Sequence, residues 1–324
     1  MTLSFRGFRA AGIATALLFA STTTGLTQGW EPTEEVEIVT HVGTTSSTWA
    51  NANMIASVIN KLDLFPHGAT TKIIEGARGA KARTYVAKTN AGNPHKLQML
   101  VPTQINNPIL ARSDVDRSLF RGVSLMVITP KVITVNADSP YETLDDLINA
   151  ARERPGEVIH GGGSLGSTSS MVSQIMEEYF DIDVTYTPFD DQGIIQLLGG
   201  HVDYVFAQPE LVGKFVESGR MRMLASSQKL DEFPDVPTLA ELGHDFEVLD
   251  SYRGLWTSKD VPDEAIAFYV EALEKVMASE EMQEFIVQNS MQRNWVAGAE
   301  LEDQLDTKVK VFTKIAQDMD LIEK

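Results

Sequence analysis

The chain of 324 residues contains no cysteine and only six histidines, at 41, 67, 95, 160, 201 and 244. Without cysteine there is no disulfide, no thiolate nucleophile and no Cys-based zinc or redox centre, while an oxidising compartment remains open to it. The histidines form no H-E-x-x-H or other close pair, so neither a metal site nor any other cofactor is expected. Positive charge is scarce as well: 27 Lys and Arg face 45 Asp and Glu, a formal charge of −18 that becomes −20 without Arg6 and Arg9. Such acidity repels phosphate backbones and anionic lipids, which argues against a nucleic-acid partner. Long apolar runs are also missing, since no segment beyond the N-terminus approaches the ~20 residues that span a bilayer.

What is present begins with "MTLSFRGFRAAGIATALLFASTTTGLTQG", residues 1–29, where Arg6 and Arg9 precede an apolar run from Ala10 to Ala20 and a small, hydroxylated exit. That is the layout of a secretory signal, too short for a membrane anchor. Its removal leaves about 295 residues, more than one core usually covers, so two lobes are expected.

Strand, loop and helix then alternate. "EVEIVTHVG" (35–43) reads as a strand and "WANANMIASVINKL" (49–62) as a helix, with Ala52, Ile55, Val58, Ile59 and Leu62 on one face. Strands are expected at 71–79 and 96–102 around a helix at 81–89. The β-branched stretch 124–140 is long enough to cross between lobes, and Pro155-Gly156 stops a helix at 143–156. Strands at 157–160, 183–191, 201–208 and 221–227 and helices at 167–180 and 209–218 continue the alternation. In "DVPTLAELG" (235–243), Thr238 and Glu241 spell a capping box for a short helix ended by Gly243. From Pro262 the chain reads as helical to its end and is expected to cover the first lobe. The alternation argues an α/β fold with a doubly wound, mostly parallel sheet in each lobe.

Residues 157–176, "EVIHGGGSLGSTSSMVSQIM", admit three readings. Gly161, Gly163 and Gly166 spell the dinucleotide fingerprint G-x-G-x-x-G, with Asp190 and Asp191 near the ribose-binding position. An exported protein, however, meets no freely exchanging nicotinamide cofactor. Gly162, Ser164 and Gly166 spell a hydrolase elbow, for which His201 and His244, with Asp203 or Asp235, would complete a triad. The third reading uses more residues: Gly161 to Gly166 turn the backbone so that amides converge at a helix N-terminus, ringed by Ser164, Ser167, Thr168, Ser169 and Ser170. Such a site holds an anion with no lysine or arginine. "THVGTTSSTWANANM" (40–54) repeats the device with Gly43, Thr44, Thr45, Ser46, Ser47 and Thr48. Two hydroxyl-rich helix N-termini, one per lobe, can face each other across a cleft.

With "WEP" at 30–32, "ADSPYETLDDLINAARERPGEV" at 137–158, "GGGSLGSTSS" at 161–170, "LLGGHVDYVF" at 197–206, "VESGRMRMLASSQK" at 216–229 and "FPDVPTLAELG" at 233–243, the chain resembles the extracytoplasmic solute receptors of tripartite tricarboxylate transporters, the TctC or Bug family, from Trp30 onward. The resemblance implies a type II periplasmic binding protein, a Venus flytrap of two doubly wound lobes around a ligand cleft. It implies a non-catalytic, monomeric receptor in the Gram-negative periplasm that hands a small carboxylic acid to the permease subunits of a membrane transporter. It further implies that main-chain amides and hydroxyls of the two loops hold the ligand's carboxylate, with Thr48 matching the first loop and Gly166, Ser167 and Ser169 the second. The expected division is 1–29 signal peptide, 30–125 with 228–324 lobe 1, and 126–227 lobe 2.

The chain departs from the family at the pocket. Trp49 stands where an aspartate is common, Ser170 replaces a frequent histidine, and "PFDDQG" (188–193) puts Asp190 at a basic position, which argues against a citrate-like tricarboxylate. Trp49 reads either as a packed indole or as a flat wall for the ligand. Asp190 and Asp191 read either as a solvated turn or as acceptors for a ligand's donors, and Gln208 as a further polar contact.

Overall fold

The computed structural model describes residues 1, 29–163, 167–189, 191–246 and 248–323. The signal expected over 1–29 therefore lies almost wholly outside the described residues. Two separate sheets organise the rest. The first half of the chain lays down β1 (Val36–Thr40), α1 (Ser47–Lys61), β2 (Ala69–Ile73), α2 (Ala80–Thr84), β3 (Lys96–Leu100), α3 (Pro102–Leu110) and β4 (Phe120–Thr129). The second half follows with β5 (Val132–Asn136), α4 (Leu144–Glu153), β6 (Ile159–Gly162), α5 (Thr168–Phe180), β7 (Thr185–Pro188), α6 (Ile194–Leu198), β8 (Tyr204–Ala207), α7 (Pro209–Glu217) and β9 (Met221–Ser226). The chain then returns through β10 (Ser251–Ser258), α8 (Asp263–Ala278), α9 (Glu280–Gln288), β11 (Gln292–Ala297) and α10 (Gly298–Asp318).

Sheet 1 runs β11-β4-β10-β3-β1-β2 and sheet 2 runs β7-β6-β8-β5-β9. The two orders match: a parallel trio (β2-β1-β3 or β7-β6-β8), then an antiparallel strand that has come from the other sheet (β10 or β5), then the strand that leaves (β4 or β9). The sheets are thus mixed rather than mostly parallel. Each crossing strand enters at the edge where the parallel strands end, so it must run against them.

Helices cover both faces of each sheet, because the strands are apolar on both sides. In β1, Val36 and Ile38 pack with Ile55 and Ile59 of α1 and Leu273 of α8, while Val39 faces Ala82 of α2 and Leu301 and Leu305 of α10. In β5, Ile133 and Val135 meet α4 and α5, and Val132 meets Ile194 and Leu197 of α6 and Val212 of α7.

The quoted family segments have structural work to do. Trp30 packs edge-on to Phe268 and Tyr269, each at 5.5 Å between ring centroids. Asp203 accepts from the Ile159 amide and the Tyr141 hydroxyl, tying β8 to β6 and α4. Residues 235–243 do form the reciprocal capping bonds, Glu241 N to Thr238 Oγ1 at 3.0 Å and Thr238 N to Glu241 Oε2 at 2.8 Å, yet they close hydrogen-bonded turns and no helix. The backbone there is taken by β9's end, where Ser226 N donates to Pro237 O and Leu239 N to Ser226 O.

Two elements depart from the expected helical C-terminus. β11 interrupts it, pairing with β4 across a bulge. α10 covers sheet 1 but also reaches sheet 2's half, where Phe312, Ile315 and Ala316 bury Met171 of α5.

Candidate ligand-binding site

Topology places the two loops. Only Pro130 and Lys131 separate β4 from β5, so the edges at which those strands end and begin must abut. β4 ends beside the start of β10, where Thr129 pairs with Ser251, and β10 runs against β3, so this edge carries the C-terminal ends of β1 and β3. β5 begins opposite the C-terminal end of β8, where Val132 pairs with Ala207. The loops leaving β1 and β6 therefore flank the same crossing.

In the first loop, Ser46 is the N-cap of α1, its hydroxyl accepting from Thr48 N at 3.0 Å, while Ser46 N closes a turn onto Gly43 O. A Cβ on Gly43 would stand 2.8 Å from Glu75 Oε1, so a side chain there would have to displace that carboxylate. Thr44, Thr45 and Ser47 are exposed, and Thr48 is half-buried with its hydroxyl unengaged by any described residue. The amides of Ser47 and Trp49 have no acceptor among the described residues. Trp49 is half-buried and belongs to no hydrophobic cluster, unlike Trp30, Trp256 and Trp295.

The second loop is wired internally. Ser167 is the N-cap of α5, with its hydroxyl 3.5 Å from Ser170 N. Ser169 Oγ accepts from Gly163 N at 2.9 Å and lies 3.0 Å from both Ser167 Oγ and Tyr186 Oη, and Tyr186 in turn donates to Gly163 O at 2.6 Å. The glycines serve this network. A Cβ on Gly162 would stand 2.3 Å from the Tyr186 hydroxyl, and one on Gly193 2.9 Å from the Gly161 Cα. The hydroxyls of Ser167 and Ser169 thus hold the turn, whereas the amides of Thr168 and Ser169 have no described acceptor. Thr168 itself is half-buried.

Ser164, Gly166 and Asp190 lie outside the described residues. Asp191 Oδ1 accepts from Gly193 N and Oδ2 from Ile195 N, so that carboxylate starts α6 and is engaged by the chain itself. Gln208 caps α7 through its backbone, and its half-buried side chain makes no hydrogen bond to a described residue. The two histidines weighed for a hydrolase triad sit at the wrong edge. His201 precedes β8, at the N-terminal end of the parallel strands, and His244 packs on Tyr179 and Phe180 at the far end of α5 from Ser167. Neither can serve a nucleophile in the loop after β6.

The neutral reading of the two loops also leaves out two buried cations. Arg253, on β10, is 8 % exposed and donates from Nη2 to Ser47 Oγ at 3.0 Å and from Nη1 to Thr129 Oγ1 at 2.8 Å. Lys131, in the crossing itself, is 6 % exposed. Burial lowers the pKa of both groups, opposed by the negative charge of Glu210 for each and of Asp250 for Lys131. A single cation interrupting "SYRGLWTS" and "ITPKVIT", otherwise small or apolar, was the available signal. Nearby, His41 hydrogen-bonds Thr103 at 3.2 Å and is lowered to about 4 by burial and by the charge of Arg83.

Two helix-flanked sheets joined at one edge by crossing strands define a two-lobed periplasmic binding protein. Residues 85–321 match the model of the tripartite tricarboxylate transporter family receptor, and the chain belongs to that family. It is similar to the protein BugT of Bordetella pertussis, with 32% identity over 126 residues, 38% of this chain and 39% of BugT. The chain therefore aligns with well under two thirds of that relative. A TctC solute-binding protein from Polaromonas shares the fold with a TM-score of 0.81 at 20% identity, over 89% of this chain and 99% of that one. So does Rpa4515 of R. palustris, solved with adipate, at a TM-score of 0.65 and 20% identity over 88% of this chain and 97% of that one.

Proposed function

We propose that the protein is an exported receptor, working in the periplasm, that captures a small carboxylic acid between its lobes and delivers it to the permease of a tripartite transporter. The observation that carries this reading is the set of four amides without an acceptor among the described residues, Ser47 and Trp49 on α1 and Thr168 and Ser169 on α5, on loops that flank one crossing. Each helix N-terminus contributes about 0.3–1 kcal/mol toward a bound anion, more where water is excluded. Each hydrogen bond to a charged group adds roughly 1.5–3 kcal/mol. Four such bonds, less the cost of association, reach the roughly −8 kcal/mol of micromolar affinity. Trp49 forms a wall of the pocket and Thr48 and Gln208 supply side-chain contacts. The lobes comprise 30–125 with 228–324 and 126–227, the run of β4 to Thr129 and the packing of Leu239 and Val248 against sheet 2 favouring later crossings on both passes. Adipate bound to Rpa4515 supports the ligand class.

A thermal-shift screen of mono-, di- and aromatic carboxylates, with amino-bearing acids alongside, tests the reading. A ligand that binds only the folded chain raises the melting temperature. At least one carboxylate is expected to do so saturably; no shift with any carboxylate would overturn the proposal.

A further inference from the structure

The two buried cations hold equivalent places in the two sheets. β10 and β5 are the strands by which the chain enters each sheet from the other, and each runs against the third parallel strand, β3 or β8. Gly254 pairs with Leu100, which sets Arg253 beside Val101 just past the end of β3. Val132 pairs with Ala207, which sets Lys131 beside Gln208 just past the end of β8. Both cations therefore stand at the edge where the sheets abut, one per sheet, and Arg253 reaches the first loop through Ser47.

Neither forms an ion pair among the described residues. Arg253 is held by hydroxyls and by Met291 Sδ at 3.5 Å, and the Lys131 ammonium has no hydrogen-bond partner among the described residues. The acids that act on them, Glu210 at the start of α7 and buried Asp250, do so through space, and burial raises the Glu210 pKa. Two cations at least nine-tenths buried without a paired carboxylate are costly for a chain to keep. Arg253 also reaches from a buried strand to Ser47, an exposed residue of the first binding turn. A carboxylate held by the helix-terminal amides would still leave this second positive site unmatched.

We infer that Arg253 and Lys131 form a second anion seat within the cleft, so that the ligand is an acid with two anionic groups, one on the amides and one on the cation pair. This rests on the carboxylate-receptor reading and narrows it. Isothermal titration with two matched pairs, succinate against butyrate and adipate against hexanoate, tests it on the full chain. In the wild type at least one diacid binds about thirtyfold or more tighter than its monoacid, the size of one charge-assisted contact. In Lys131→Gln and, independently, Arg253→Gln, that ratio falls below about fivefold, diacid affinity dropping by more than monoacid affinity. Arg253→Lys, which keeps the charge, retains most of the preference. Equal binding of diacid and monoacid by the wild type would overturn the second seat and leave the receptor reading standing. Equal loss of both acids in the variants would also overturn it, reducing Arg253 to a support for Ser47. Binding of none of the four acids would overturn the second seat, the receptor reading being decided by the wider carboxylate screen.

Discussion

The two loops that leave β1 and β6 are built from the same residue types and use them in opposite ways. After β6 the serine hydroxyls are turned inward: Ser169 bridges Gly163, Ser167 and Tyr186, and a glycine at 162 lets those groups meet. After β1 only Ser46 is needed as a cap, Thr44 and Thr45 are exposed, and the local order comes from a guanidinium bonded to Ser47. Hydroxyl content thus marks both turns without revealing which hydroxyls remain for a ligand. What the turns share is a pair of amides with no acceptor among the described residues, a property of any capped helix start and one that no side-chain pattern displays.

The largest effect expected is in acid, where the buried histidine of sheet 2 goes further than His41 beside sheet 1, lowered to about 4. His160, fully buried in sheet 2 against Tyr204 and Ser173, is held at about 3 by desolvation, against an ordinary 6.5. Its folded pKa is depressed, so the unfolded chain binds the extra proton first. The associated stability is intact above pH 6.5 and is lost progressively as pH falls toward 3, by roughly 1 kcal/mol per pH unit. Urea midpoints at pH 7 and 4.5 are expected to fall steeply in the wild type and more gently in His160→Gln. An identical slope in both would show that this histidine does not set the acid limit.

Next in size is the inward-turned network. Ser169→Ala leaves the Gly163 amide and the Tyr186 hydroxyl short of a partner and should cost about 1–3 kcal/mol of stability, read by chemical denaturation. Ser167→Ala, which removes an N-cap, should cost about 1 kcal/mol as well. Thr44→Ala or Thr45→Ala, on the exposed side of the other loop, should stay within about 0.5 kcal/mol of the wild type. Comparable losses from both loops would erase the distinction between them.

The smallest effects on stability should accompany clear effects on binding. Thr48→Ala and Trp49→Ala remove a hydroxyl and an indole that the fold does not engage, so stability should change by no more than about 0.5 kcal/mol. Affinity for the best carboxylate should fall by about 1–2 kcal/mol in each, as titration calorimetry would show. Unchanged affinity together with a lowered melting point would return Trp49 to a packing role.

Much of this architecture is legible in the chain because its signals are local. β-branched runs mark β1, β4 and β5, and 3.6-residue periodicity marks α1, α5 and α8. The parts that are not legible depend on distant partners. β11 is an edge strand whose pairing with β4 spans over 160 residues and breaks at a bulge, so "QRNWVA" carries no clean alternation. α3 is nine residues long with Pro102 at its start and Pro108 within it, which hides its period. The Tyr186 hydroxyl joins Ser169 from 17 residues away and claims donors that the sequence leaves apparently free. Arg253 meets Ser47 across 206 residues, so a site read as neutral acquires a cation only when the chain returns to sheet 1.

Backbone amide chemical shifts measured by NMR during titration with the best-binding carboxylate test the central claim most directly. Saturable perturbations should appear together, at one dissociation constant, at Ser47, Thr48 and Trp49 in one loop and at Thr168 and Ser169 in the other. Shifts confined to a single loop, or centred away from both, would contradict a ligand gripped between the two helix starts.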